Sequence, residues 1–365
     1  MLMDLNRRAF VASTGALALT GCATTGSRVA EGCAPLPPVN VDPSRVMRTV
    51  AGLRPYRPTG FRVAREPFGD KALVHNYGHG GSGITFSWGT ARLAADLGLP
   101  GHSGPVAVIG AGVIGLTTAR LVQQAGYPVT IYTAALPPDT TSWIAGGQIM
   151  PSSLFRESEV TPEWYRQFDA ALEYSLQRFA IMVGEEYGVR WLPTYIENAE
   201  VPAPRYMSRA GVGWRSLARS EHPFPLDRMV RYQTMYVETG RYLQTLTRDV
   251  LKAGGKIQMR RFATPADVAA LPETLVFNCT GLGARELFGD TELFPIRGQL
   301  AILPPQHEVK YAFTGRAGYM FPRADGIILG GTFERNEWST VPEPATIASI
   351  VESHRDLFAG FRCSA

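Results

Sequence analysis

Apolar positions along this chain follow two rhythms. In the first, short continuous apolar runs end in glycine: "VAVI" at 106–109 runs into "GAGVIG", and "TLVFNCTGLGAREL" fills 274–287. Runs of four to six apolar residues bounded in this way predict buried strands. The segment after the first run, "LTTARLVQQAG", has helical spacing and is closed by Gly126, a helix C-terminal signal. "PVTIY" at 128–132 then reads as a second strand, completing the opening of a βαβ unit. A long amphipathic packing helix is expected over 161–188, with Pro162 in its first turn and Trp164, Phe168, Leu172, Leu176 and Phe179 on one stripe. "GRYLQTLTRDVLKAGG" at 240–255 predicts another helix, followed by the strand "KIQMRRF".

The second rhythm comes late. "IRGQLAIL" at 296–303, "GYMFPRADG" at 318–326 and "IILGGTFE" at 327–334 read as antiparallel strands, with Asp325-Gly326 as the hairpin signal. Two strand styles in one chain predict an α/β Rossmann-like nucleotide-binding domain plus an α+β substrate domain with a mixed or antiparallel sheet.

Composition fits such an architecture: 365 residues, 45% hydrophobic and 19% charged, suffice for one large or two medium domains. The formal charge of +4, from 36 basic and 32 acidic residues with no basic run longer than two, argues against a nucleic-acid partner. Four cysteines and six histidines show no metal-ligand spacing, so no metal site is expected. Cys279 reads as packing within an apolar strand. Cys33 and Cys363 are expected to stay unpaired, a disulfide in an oxidising compartment being the alternative.

The N-terminus carries its own signal. Arg7 and Arg8 precede a short apolar run and "LTGC" ends at Cys22, which resembles a twin-arginine export signal over residues 1–22 with a lipoprotein-type cleavage site. The expectation is a periplasmic protein tethered to the membrane through a lipid on Cys22, with a soluble exported protein as the alternative. Residues 23–43 are small, polar and Pro-rich, and read as a flexible linker.

Chemistry enters with the glycines. Gly110, Gly112 and Gly115 stand where a dinucleotide fold needs a tight turn, close backbone approach and tight helix–strand contact, with Val113 and Ile114 opening the helix. The acidic residue that should end the second strand is missing: the chain reads Tyr132, Thr133, Ala134, Ala135, so the ribose must be held another way. Thr140, Thr141, Ser142 and Gly146 instead form a hydroxyl-rich loop suited to lie against a cofactor.

Together these segments resemble the FAD-dependent D-amino-acid oxidase family. The matching strings are "VAVIGAGVIGLTTA", "PPDTTSWIAGG", "YLQTLT", "VFNCTG", "RGQ", "GYMFPR", "LGGTF" and "WS" at 338–339, together with "GLRPYRP" (52–58) and "HNYGHGGSGITFSWG" (75–89). The last two end the ordinary family member, yet here they precede the dinucleotide strand. The order resembles a circular permutation. Domain limits follow from it: an FAD-binding part over 44–160, made of a displaced module at 44–99 and the βαβ unit at 105–150, and a substrate domain over 161–365 interleaved with FAD-binding segments at about 240–297. Ala365 and the region of Ser44 should then lie within roughly 20 Å, the reach of a few extended residues.

The resemblance implies FAD as cofactor and hydride transfer from the α-carbon of a D-amino acid to it, giving 2-oxo acid, ammonia and, with oxygen, hydrogen peroxide. It places Arg54 and Tyr319 on the substrate carboxylate and the Gly81 carbonyl on the amine, with Gly80, Gly81, Gly83, Ile84 and Thr85 along the flavin. The bland readings are a solvated Arg54 and a core Tyr319; His79 is taken as structural. The second tyrosine of the vertebrate-type pattern is replaced by Gly315, implying an abbreviated lid and a more open pocket. Arg57, Arg316 and Arg323 are candidates for binding a second carboxylate. Alternatives remain: a dehydrogenase passing electrons to a quinone or other carrier, an amine or N-methyl amino-acid oxidase, and a non-catalytic flavin-binding lipoprotein. A plain NAD dehydrogenase would leave the front segment unexplained.

Overall fold

The computed structural model describes residues 32–33, 35–197 and 205–363. Its strands in chain order are β1 (Arg48–Tyr56), β2 (Arg62–Phe68), β3 (Lys71–Tyr77), β4 (Val106–Ile109), β5 (Val129–Thr133), β6 (Val189–Glu197), β7 (Val212–Leu217) and β8 (Met229–Val237). They continue with β9 (Lys256–Met259), β10 (Leu275–Asn278), β11 (Phe294–Leu303), β12 (Ala312–Gly315), β13 (Gly318–Arg323), β14 (Gly326–Gly330) and β15 (Glu334–Arg335). The helices are α1 (Gly83–Gly98), α2 (Val113–Gln124), α3 (Thr141–Ile144), α4 (Pro162–Ala180), α5 (Arg205–Ala210), α6 (Thr239–Lys252), α7 (Pro265–Ala269), α8 (Gly283–Phe288) and α9 (Pro344–Ala359).

One sheet runs β2-β3-β10-β4-β5-β9 and is parallel except for the β2–β3 hairpin at its edge. Both faces are covered, which is why its central strands read as continuous apolar runs. Val74, Val106, Val108 and Phe277 face one core with α1, α2, α4 and α6; Leu73, Ala107, Ile109 and Val276 face another with Val268 and Leu287. The second sheet runs β1-β11-β14-β13-β12-β6-β8-β7, with β15 paired to β11. It is antiparallel apart from β12–β6. The Rossmann-like sheet and the separate mixed sheet are as expected from the two rhythms.

Several details differ from the sequence expectation. The helix expected to reach Gly188 ends at Ala180, because Gly184 adopts φ +141° and Gly184 N–H bonds back to Val189, turning the chain into β6. The hairpin loop is Ala324-Asp325, while Gly326 is the first paired residue, opposite Arg323. β1, inside the 44–99 module, pairs with β11, and α4, beyond residue 160, packs on α1.

The linker over 23–43 is docked where it is described. Val39 and Val41 are buried with Ile347, Val351 and Phe358 of α9, Tyr311 Oη donates to the Pro37 carbonyl (2.8 Å), and Asn40 N–H donates to Gln306 (2.8 Å). The alternation Val39-x-Val41 was hidden among the prolines around it. Cys33 and Cys363, expected to stay unpaired, form a disulfide with Cα atoms 5.6 Å apart. The docked segment delivers Cys33 to the end of α9, a neighbourhood that spacing alone could not reveal. Arg7, Arg8, Cys22 and Ala365 lie outside the described residues.

Candidate active site

Strands β3, β4 and β10 are adjacent and parallel, so their C-terminal ends deliver three glycine-containing turns to one place. "GHGGSG" leads from β3 into α1, "GAG" from β4 into α2, and "CTGLG" from β10 into α8. Between these turns, the 139–148 loop and the mixed sheet lies a cleft of about 870 Å³. Open α/β sheets bind ligands in this position, outside the carboxyl ends of their strands.

Twelve of the expected cofactor residues line the cleft: Gly80, Gly81, Gly83, Ile84, Gly110, Gly112, Val113, Ile114, Thr140, Thr141, Ser142 and Gly146. Gly115 and Thr85 do not. Gly110 has φ +107°, and a β-carbon on Gly115 would lie 1.9 Å from the Gly110 carbonyl oxygen, so Gly115 permits the α2–β4 contact and touches no ligand space. Thr85 Oγ1 is turned to the backbone of Met150, donating to its carbonyl (3.2 Å) and accepting from its N–H (3.1 Å). Ser142 Oγ accepts from the first N–H of α2, at Val113 (3.0 Å).

At the other end Arg54 and Tyr319 come together, although 265 residues separate them in the sequence. The Arg54 guanidinium lies beside the Tyr319 hydroxyl, near enough for its charge to act on it, and donates to the Thr332 carbonyl (3.2 Å). Burial pushes the Tyr319 hydroxyl above its ordinary pKa, with the Arg54 charge opposing. Its ring stacks on Phe321, centroids 4.6 Å apart. Gly81 lies beside the stem of Arg54 and donates its N–H to the Ser153 carbonyl (3.1 Å). His79 is fully buried against Thr90 Oγ1 (2.9 Å), and burial pushes its pKa down to about 3, which keeps the ring neutral in this turn. Cys279 is buried, its thiol pushed up to about 12 by that burial.

The sequence model of the DAO family, described as FAD dependent oxidoreductase, matches residues 27–97 and 105–364. The chain belongs to this family. Among curated relatives, a D-amino-acid oxidase of Streptomyces coelicolor is 31% identical over 68% of this chain and 76% of its own length. A human D-aspartate oxidase is 29% identical over 67% of this chain and 73% of its own length. Glycine oxidase from Geobacillus kaustophilus, 16% identical with a TM-score of 0.52, covers 71% of this chain and 80% of its own, and it shares the fold.

As a family member the chain is an FAD-dependent oxidoreductase, and the cleft fits that cofactor. Thr140 Oγ1 is buried with no partner among the described residues and Thr140 lines the cleft, and the Gly110 turn brings backbone to the start of α2, where an anionic pyrophosphate is favoured. Thr133, where an acidic residue was sought, holds the turn instead: its Oγ1 accepts from Ala111 N–H (3.2 Å) and donates to the Ala135 carbonyl (2.7 Å). Sequence reasoning missed Arg260, Arg261 and Phe262, which line this end because Arg260 N–H bonds to the Thr133 carbonyl (2.8 Å). Their signal was faint: β9 neighbours β5 in the sheet but follows it by more than a hundred residues.

None of the three candidates for a second carboxylate contact is available. Arg57 is paired with Asp290 (2.8 Å) and Glu292 (2.9 Å), Arg316 with buried Glu197 (2.5 Å), and Arg323 with Asp325 (2.6 Å). At Gly315 a β-carbon would meet Glu197 Oε2 at 2.6 Å, so the position of the family's second tyrosine is closed by the Glu197–Arg316 pair.

Proposed function

We propose that this protein oxidises D-amino acids with uncharged side chains to 2-oxo acids, with oxygen as the electron acceptor. The observation that carries the reading is the Arg54–Tyr319 pair on the cleft wall beside Gly81. A planar guanidinium next to a hydroxyl is suited to grip a carboxylate with parallel hydrogen bonds. A site that had only to hold flavin would have no use for it. When bound, FAD supplies the two-electron acceptor. The chain's own residues anchor the carboxylate, accept a hydrogen bond from the amine at the Gly81 carbonyl, and hold the α-carbon in place while water is kept out. The α-hydrogen leaves as hydride, the amine loses a proton, and the resulting imine takes up water to give 2-oxo acid and ammonia. Oxygen then accepts the two electrons as hydrogen peroxide. No side-chain base is required at the α-carbon.

The D-amino-acid oxidase relatives support the substrate class, and the commitment of Arg57, Arg316 and Arg323 to carboxylates of the protein favours uncharged side chains. The test is the visible spectrum of the holoprotein on anaerobic addition of D-amino acids, with L-enantiomers as controls. Bleaching by D-forms alone supports the reading; a flavin that no amino acid reduces overturns it. Peroxide formed under air distinguishes oxygen from a quinone-type acceptor.

Export and chain order belong to the same proposal. The Cys33–Cys363 disulfide suits an oxidising periplasm and so supports the twin-arginine route, with a lipid on Cys22 as its anchor. Circular permutation is supported by the closeness of the two ends of the fold, because Phe361 packs in the cluster that holds Val39 and Val41. A chain reordered to start at β4 and end with α1 should fold and bind FAD; failure of that chain alone would count against permutation.

A further inference from the structure

Along the wall that carries Tyr319, the next aromatic rings lead away from the carboxylate clamp. Phe321 stacks on Tyr319, and Tyr236 meets Phe321 edge-on with centroids 5.2 Å apart. Gln148 lines the cleft at the end of this row. Its amide nitrogen donates to the hydroxyls of Tyr236 (2.8 Å) and Tyr232 (3.0 Å), and Tyr236 Oη in turn bonds Thr194 Oγ1 (3.0 Å). Both tyrosines are buried. The amide nitrogen is thus directed at the two buried hydroxyls. Oε1 has no protein hydrogen bond among the described residues, and Gln148 lines the cleft, so its acceptor is free for a ligand group there.

Building on the D-amino-acid reading above, we propose that Gln148 is a specificity-determining residue. Its amide oxygen, aimed by Tyr232 and Tyr236, accepts a hydrogen bond from the substrate side chain. The favoured substrates are then D-amino acids with neutral, hydrogen-bond-donating side chains. Charge does not compete for this role. Of the cations lining the cleft, Arg54 holds the α-carboxylate, while Arg260 and Arg261 sit beside Thr133 at the far end. An acidic side chain would face an acceptor oxygen, and an aliphatic one would leave that oxygen without a partner and shielded from water.

The experiment compares near-isosteric pairs, D-asparagine with D-leucine and D-threonine with D-valine, by kcat/KM in the wild-type holoenzyme and in Gln148→Leu. A single hydrogen bond of this kind is worth about tenfold in such a ratio. The wild type should prefer the polar member of each pair by about tenfold or more, and Gln148→Leu should remove that preference. Tyr236→Phe, which leaves Gln148 in place but frees one side of its amide, should lower the ratio part of the way. It also carries the test should Gln148→Leu fail to retain flavin. An unchanged ratio in both variants, or a wild-type preference for the aliphatic member, overturns the assignment. Reduction by D-leucine without any polar preference would sink the role of Gln148 alone, whereas no reduction by any D-amino acid would sink the underlying reading.

Discussion

The guanidinium of Arg54 lies flat against the backbone of Gly298, so closely that a β-carbon there would sit 2.4 Å from Nη2 and 2.6 Å from Cζ. Gly298 faces Gly52 across the β1–β11 pair and is the diagonal neighbour of Arg54. The glycine of "RGQ" thus makes room for the clamp. Because the obstructing atoms are the end of a flexible side chain, Gly298→Ala should be relieved by swinging Arg54 aside and not by unfolding. We expect kcat/KM for D-amino acids to fall by roughly 10–100-fold, mainly through KM, as for a displaced charged hydrogen bond. Flavin content and Tm should change little. A parallel loss of flavin would show that Gly298 supports the fold instead.

Gly115 behaves differently, because what it approaches is backbone. A β-carbon 1.9 Å from the Gly110 carbonyl oxygen can be accommodated only by moving α2 away from β4, which displaces the first turn of the helix. Gly115→Ala should therefore lower Tm and weaken FAD binding together. Denaturation monitored with and without added FAD checks this, and a variant with normal flavin affinity would contradict it.

How much of this was legible in the sequence depends on which force fixed each element. The β4–α2–β5 unit and the helix over 239–252 were readable because period, glycine and cap signals agree locally. Strands β1, β6 and β8 were not, because their place is set by pairing in a mixed sheet and not by a local signal: β1 pairs with β11 and β6 with both β12 and β8. At the site, Arg54 and Tyr319 were found only through the family resemblance. Nothing local in "GLRPYRP" marks Arg54 as the cleft arginine and Arg57 as the one bound to Asp290 and Glu292. Gln148 carried no motif at all, since its significance comes from two tyrosines on β8.

Protonation of buried histidines should govern the acid limb of stability. His79 is held neutral with its pKa pushed down to about 3 by burial, and burial lowers His75 and His354 as well. An unfolded histidine titrates near 6.5, so below that pH the unfolded chain binds protons that the native one refuses. Stability is then fully present above pH ~6.5 and is lost as pH falls, with a limiting slope of about 1.4 kcal/mol per pH unit for each such group. Denaturant midpoints measured between pH 7.5 and 4.5 should decline, and less steeply in His79→Gln. An identical slope in that variant would mean that another group dominates.

The Cys33–Cys363 disulfide closes a separation of 330 residues, so opening it releases a large loop in the unfolded state. The chain-entropy account gives such a bond an upper limit of about 6 kcal/mol, from which any native-state strain subtracts. In the native state its task is local. From Pro37 onward the docked segment is held by Tyr311, by the Asn40–Gln306 pair and by the burial of Val39 and Val41 against α9. None of these residues lines the cleft. Cys363→Ser should accordingly lower Tm by several degrees while the flavin spectrum and kcat/KM stay as in the wild type. Calorimetry with and without reductant reads the first, and anaerobic reduction by a D-amino acid reads the second. An unaltered Tm would mean that the packing of Val39 and Val41 suffices to hold the segment, whereas an altered flavin spectrum would mean that α9 transmits its position to Tyr319, whose carbonyl lies 3.2 Å from His354 Nε2.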